Sequence, residues 1–273
     1  MPIAKRRLSL AALILLVGAG AVILAILART VAAPARAADS NALWHVVHDL
    51  CVTDMKVSGS PSPCLTVDLA RGYAVLKDIR GATQVLLIPT LRVTGIESAQ
   101  LLTRGSENYF EDAWRARTFV EKRAGRPVPR EDVGMAINSI YGRSQNQLHI
   151  HVDCLRRDVR DALKANEARI GSRWAAFPVE LAGQQYRARR VMGAELGPND
   201  PFKLLAEADP KARADMGRET LAVVGETFAG GKPGFVLLSD RADIMRLDQA
   251  AGEDVLDHGC AVLADRDPDR ATP

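Results

Sequence analysis

Apolar residues recur along this chain in three ways, each predicting a different element. Residues 8–28 form an uncharged and almost wholly apolar run, preceded by Lys5, Arg6 and Arg7 and ended by Arg29. Helical spacing follows in residues 42–51 through Leu43, Val46, Val47 and Leu50, with Ser40 or Asn41 placed to cap it. It returns in residues 108–124 through Phe110, Ala113, Trp114, Phe119 and Val120, where Gly125 stops the helix and Pro127 and Pro129 prevent its resumption. A third helix is expected over residues 155–170, with Leu155, Val159, Leu163 and Ile170 on one face. Strand patterns fill the gaps: residues 72–78 and 84–89 around a turn at 80–82, then 133–137, and 147–154. After Trp174 come a mixed basic and apolar stretch at 186–192, a short helix at 202–207, and strands at 220–225 and 234–240 joined through Gly230-Gly231-Lys232-Pro233. This succession predicts an α+β fold with helices packed on an antiparallel sheet and a second β-containing half.

At about 1.5 Å per residue the first run spans a hydrocarbon layer of roughly 30 Å, and it exceeds the roughly 7–15 apolar residues of a cleaved signal. One N-terminal transmembrane helix is expected, with Ala35-Arg36-Ala37 as a cleavage site if it is processed instead. The basic residues before the span place it with the rest of the chain outside the cytoplasm. The expected division is an anchor at 1–30, a tether at 31–39, halves at 40–171 and 172–264, and an unpatterned, disordered tail at 265–273. Lys5, Arg6 and Arg7 account for the whole net charge of +3. The remainder has no long basic tract, so nucleic acid is not an expected partner. Four cysteines on the non-cytoplasmic side suggest two disulfides with three possible pairings. Cys51 with Cys64 closes a short loop and leaves Cys154 with Cys260; the alternative for Cys154 is a buried thiol.

Strict alternation in residues 147–154 places Gln147, His149, His151 and Asp153 on one strand face and Leu148, Ile150, Val152 and Cys154 on the other. Only five histidines occur in the chain, and two stand together here. A metal would want a third matching ligand, for which Asp153 is the local candidate, and no metal is assigned. His45 and His48 are three apart but are expected at the surface. Arg143, Ser144 and the backbone at Gly142 supply donors for an anion, which favours nucleophilic chemistry over an idle polar face. Asp78, at the end of the first strand, is either a turn residue or an acceptor for a vicinal diol.

The spacing of Asn138, Gln145, His149 and His151 resembles the histidine-triad superfamily of nucleotidyl hydrolases and transferases. The resemblance implies that His151 attacks the α-phosphorus, that His149 and Gln145 orient it and bind phosphate oxygens, and that Asn138, Arg143 and Ser144 stabilise charge. It implies Asp78 on the ribose, Lys77 assisting from the opposite side, and Asp153 near the leaving group in place of a third histidine. Gly72-Tyr73-Ala74-Val75-Leu76-Lys77-Asp78, Leu87-Ile88-Pro89-Thr90, Ala136-Ile137-Asn138-Ser139, Gly142-Arg143-Ser144-Gln145-Asn146, Ser172-Arg173-Trp174 and Arg189-Arg190-Val191 resemble one branch of the superfamily, the CDP-diacylglycerol pyrophosphatases of the bacterial inner membrane. That resemblance implies hydrolysis of CDP-diacylglycerol to CMP and phosphatidate through a cytidylyl-histidine. It also implies a single-pass protein with its catalytic domain on the periplasmic side and no cofactor. It leaves the oligomeric state open. The alternatives are a membrane-tethered binder of nucleotides or lipid headgroups, a hydrolase of other nucleotide pyrophosphates or phosphoramidates, and a disulfide-held structural protein of the envelope.

Overall fold

The two hairpins expected from alternation at 72–89 and 220–240 lie in one sheet. The computed structural model describes residues 39–266. The expected anchor, most of the tether and the tail beyond 266 lie outside them. Among the described residues no helix is long and apolar enough to cross a membrane. The strands are β1 (Thr66–Asp68), β2 (Tyr73–Lys77), β3 (Val85–Pro89), β4 (Val133–Ile137), β5 (Ile150–Leu155), β6 (Ala175–Ala176), β7 (Arg187–Met192), β8 (Glu219–Phe228), β9 (Lys232–Arg241) and β10 (Leu256–Asp257). They run in the order β1-β2-β3-β5-β4-β8-β9-β7-β6, each antiparallel to its neighbour, while β10 pairs with the end of β5. Ile137 of β4 stands opposite Leu221 of β8, so the C-terminal hairpin continues the N-terminal sheet.

The helices are α1, continuous through Ala42–Trp44, a π-helical His45–Val52 and Thr53–Ser58, then α2 (Tyr109–Ala124), α3 (Arg157–Ala165), α4 (Pro201–Ala208) and α5 (Pro210–Ala214). Asn108 caps α2 by accepting from the Glu111 N–H, and Gly125 ends it at φ 69°, a left-handed conformation that favours glycine. α2 and α4 cover one sheet face, where Phe110, Trp114 and Phe202 pack with Leu87, Met135, Ile150, Val152 and Leu237. Gly225 permits this closeness, since a β-carbon there would come within 2.7 Å of the Trp114 ring and 2.4 Å of the Arg130 carbonyl oxygen.

The opposite face carries two smaller apolar clusters. At the β1–β3 end, Leu43, Val47 and Val52 of α1 pack on Ala74, Leu86 and Ile88. At the β8–β9 end, Val159 and Leu163 of α3 pack with Tyr186, Ala222 and Leu238. Leu86 and Ala136 both stand opposite His151, so strand alternation puts the histidine on this second face, between the two clusters. The gap between clusters is where polar side chains gather.

Three expectations change. β5 starts at Ile150, so Gln147 and His149 lie in the approach to the strand, and every residue of β5 is buried. The expected helix at 155–170 is shorter: Leu155 closes β5, and Asn166, at φ −111° and ψ 13°, leaves the helical conformation and separates α3 from a 3-10 turn at Glu167–Arg169. A further 3-10 turn, Ala261–Arg266, reaches into the stretch expected as a tail. Both disulfides form, Cys51–Cys64 and Cys154–Cys260, the latter tying β5 to the C-terminal segment.

Candidate active site

Between the two clusters lies a pocket of about 410 Å³ whose lining is divided by polarity. Ala42, Leu43, Val46, Leu76 and Leu86 form its apolar side, and Lys77, Asp78, Asn138, Ser144, Gln145, His149, His151 and Glu253 its polar side. The β2–β3 turn brings Asp78, the loop before β5 brings Ser144 to His149, β5 brings His151, and a 3-10 turn at Gly252–Val255 brings Glu253.

The two imidazoles have centroids 5.0 Å apart and are held in different tautomers. His149 Nδ1 lies 2.7 Å from the Gln147 carbonyl oxygen, which can only accept, so the ring proton is on Nδ1 and the Nε2 lone pair is free. His151 is held the other way. Gln84 Nε2 donates to Asp78 Oδ2 at 2.8 Å, a carboxylate oxygen that fixes the orientation of the amide. The same amide nitrogen lies 2.6 Å from His151 Nδ1, which therefore accepts. The His151 proton is on Nε2, shielded from solvent and 3.1 Å from Glu253 Oε2, off the line of a hydrogen bond. Burial, then the neighbouring His151, pushes His149 from 6.5 down to about 4. Burial pushes His151 down to about 4 as well, against the opposing pull of Asp78. Both rings are neutral at neutral pH.

Other residues expected at the site divide. Asp78 accepts the Arg80 N–H at 2.9 Å on its other oxygen. Asn138 uses Oδ1 to accept the Glu253 N–H at 3.0 Å, which fixes the Glu253 turn and leaves its Nδ2 toward the pocket. Lys77 lines the pocket but spends Nζ on the carbonyls of Gly81 (2.8 Å), Arg80 (3.2 Å) and Asp78, clasping the turn. Gln145 faces α1 rather than the histidines: Oε1 accepts the Leu43 N–H at 2.9 Å and Nε2 donates to the Asp39 carbonyl at 3.0 Å. The helix start needs those partners, since its first N–H groups have none within the helix.

Two residues fall outside the pocket lining. Arg143 is a buried fork on Glu97, at 2.5 and 2.7 Å, because the nearby carboxylate offers bidentate geometry. Burial raises the Glu97 carboxyl, and the Arg143 hydrogen bonds outweigh that, leaving it below its ordinary value. Asp153 is fully buried; it accepts from Thr83 Oγ1 at 2.6 Å and its own neighbour's N–H at 2.9 Å, and faces His258 Nδ1 at 3.1 Å. Asp153, Cys154 and Cys260 are the one cluster of metal-ligating atoms among the described residues, and its sulfurs are joined in a disulfide. His45 and His48 share the exposed carboxylate of Asp49, at 2.7 and 2.8 Å.

Gln84 and Glu253 were not singled out by the sequence. Gln84 opens an apolar strand, and Glu253 stands beside Asp254 in a segment that reads as surface. In the structure Gly252 is tightly placed: a β-carbon there would meet Thr220 Oγ1 at 2.3 Å, so the chain approaches closely just before Glu253.

A family model described as CDP-diacylglycerol pyrophosphatase matches residues 38–264. The CDP-diacylglycerol pyrophosphatase of Yersinia pestis is 43% identical over 241 residues, 88% of this chain and 92% of that protein. Among solved structures, a DUF4931 family protein from Bacillus cereus aligns with 74% of this chain and 96% of its own at 8% identity and a TM-score of 0.41, too slight a likeness to bear on function.

Proposed function

The chain belongs to the CDP-diacylglycerol pyrophosphatase family, and we propose that it cleaves the anhydride of its substrate through a nucleophilic histidine in the pocket described above. It is a hydrolase of CDP-diacylglycerol, yielding CMP and phosphatidate. The observation that carries the mechanism is the tautomer of His149, whose Nδ1–H on the Gln147 carbonyl leaves Nε2 as an accessible lone pair. This assignment exchanges the roles that the resemblance implied for the two histidines.

His149 Nε2 attacks the cytidylyl phosphorus, and the electron pair of the breaking P–O bond leaves with phosphatidate. His151 Nε2–H donates to the phosphoryl oxygens, where charge accumulates. Asn138 Nδ2, the Ser144 hydroxyl and the Arg80 guanidinium are further donors among the residues that line the pocket. Asp78 takes the ribose hydroxyls, as the resemblance implies. Water then cleaves the phosphoramidate. The apolar wall of α1 receives the glycerol end of the lipid, which suits an amphiphilic substrate better than a free nucleotide. A membrane anchor at residues 8–28, with the catalytic domain on the periplasmic side of a bacterial inner membrane, completes the proposal. It keeps enzyme and lipid on one surface, and extraction of the full chain by carbonate would refute it.

CMP release from CDP-diacylglycerol in detergent micelles, with chelator present, tests the mechanism. His149→Ala is expected to abolish both release and labelling by substrate carrying 32P in the cytidylyl phosphate. His151→Ala is expected to slow labelling by about 10²–10³-fold while still allowing it, the cost of one oxyanion donor. Labelling lost only in His151→Ala would restore that residue as nucleophile. Bound nucleotide without turnover would favour a binding protein.

A further inference from the structure

The lytic water must give up a proton as it attacks phosphorus, so the hydrolytic half-reaction needs a base beside the phosphoryl group. The titratable side chains lining the pocket are Lys77, Asp78, Arg80, His149, His151 and Glu253. His149 is the covalent carrier and has no lone pair to spare. His151 has a proton on Nε2 and the Gln84 amide on Nδ1, so neither nitrogen is open to another proton. Asp78 has one oxygen under Gln84 and the other under the Arg80 N–H, and its remaining lone pairs go to the ribose hydroxyls. Lys77 and Arg80 are cations. Glu253 remains. Within the described residues no donor hydrogen-bonds its carboxylate, which is one-fifth exposed and reaches 3.1 Å from His151 Nε2. A phosphoryl group hydrogen-bonded to His151 therefore has Glu253 at its edge.

We propose that Glu253 is the general base of the second half-reaction. The water oxygen bonds to phosphorus as its proton passes to Glu253 Oε2. The P–N bond breaks with its electron pair returning to His149 Nε2, and CMP departs. The Glu253 proton then goes to solvent, which restores the resting site. The Glu253 backbone is firmly seated, because its N–H is bonded by Asn138 and Gly252 is packed against Thr220 and the Ile137 carbonyl. This rests on the cytidylyl-histidine reading, and the first half-reaction does not need Glu253, because phosphatidate leaves without a proton.

Rapid-quench experiments follow phosphatidate and CMP separately in the full chain and in Glu253→Gln, whose amide keeps the size of the side chain and leaves the main-chain bond to Asn138 intact. The expected result is a stoichiometric burst of phosphatidate at near the wild-type rate, CMP release slowed by about 10²–10⁴-fold, and accumulation of acid-labile cytidylyl-protein. Glu253→Ala should behave likewise and regain CMP release on addition of formate. Wild-type CMP release from Glu253→Gln, or equal loss of both half-reactions with no accumulated adduct and no rescue of Glu253→Ala, would overturn the proposal. His149→Ala separates the two levels. A burst from His149→Ala refutes His149 as the covalent carrier, whereas a silent His149→Ala beside an unaffected Glu253→Gln refutes the base alone.

Discussion

The depressed affinity of the two histidines for protons makes the acid side of the activity profile a measurable quantity. The perturbation is pH, between 4 and 8. With His149 pushed to about 4, the free enzyme keeps about 90% of this proposed nucleophile neutral at pH 5, whereas an imidazole at its ordinary 6.5 would keep about 3%. The acid limb of kcat/KM, which reports free enzyme, is therefore expected near pH 4 to 5. Because the rings interact and His151 is also pushed to about 4, the limb belongs to the pair. The assay is initial CMP release at substrate far below KM, with micelle composition fixed. An acid limb at pH 6 to 7 would refute the burial argument. The same shift has a stability counterpart. A histidine whose folded value lies below 6.5 binds its proton first in the unfolded chain, so stability present above pH 6.5 is lost as pH falls toward 4. For His149 alone that amounts to about 3 kcal/mol. Urea unfolding at pH 7 and at pH 4, compared with His149→Asn, should show the mutant losing less.

Other expectations follow from the packing. The loop closed by Cys154–Cys260 spans 106 residues and that by Cys51–Cys64 spans 13. Removing the first should cost about 4–5 kcal/mol and the second about 3 kcal/mol by loop-closure entropy, read from urea midpoints under non-reducing conditions. Equal costs would argue against the entropic account. Gly252→Ala places a β-carbon 2.3 Å from Thr220 Oγ1 and 3.2 Å from the Ile137 carbonyl. It should cost about 1–3 kcal/mol and slow CMP release more than phosphatidate release, because the displaced turn carries Glu253. Arg143→Lys breaks the fork on Glu97 and should lower stability by about 1.5–3 kcal/mol. If catalytic efficiency instead fell by about 10²-fold or more at unchanged stability, Arg143 would return to the phosphate.

Local pattern carried the sheet and most helices because alternation and helical spacing are properties of neighbouring residues. The hairpin at Gly72 to Pro89, the helix from Tyr109 to Ala124 and the strand at Val133–Ile137 were all legible in this way. β1 was not, being only three residues long, Thr66–Asp68, and chosen by its neighbour β2. The family was legible through motifs spread along the chain, and the matches at residues 38–264 agree with it. The roles proposed for the two histidines were less so. Spacing along a strand treats His149 and His151 alike; the difference between them lies in Gln147 O on one ring and Gln84 on the other. Gln84 is 67 residues from His151 and reaches it only because β3 pairs with β5.

The resemblance places Asp153 where a third histidine would stand, near the leaving group. In the fold it is a position behind the site, where Thr83, His258 and the Cys154 N–H occupy the carboxylate beside the Cys154–Cys260 bridge. The C-terminal segment held by that bridge also pairs as β10 with the end of β5, where Leu256 meets Leu155. Three residues before Leu256 stands Glu253. Asp153 thus contributes to anchoring the segment that delivers a carboxylate to the pocket without reaching the pocket itself. Burial raises the Asp153 carboxyl against the hydrogen bonds of Thr83, Cys154 and His258. Replacing Asp153 with Asn should accordingly be tolerated by the chemistry and felt in the seating of the C-terminal segment. The expected signature is a loss of stability with a modest fall in CMP release. A change in the phosphatidate burst alone would place Asp153 at the leaving group after all.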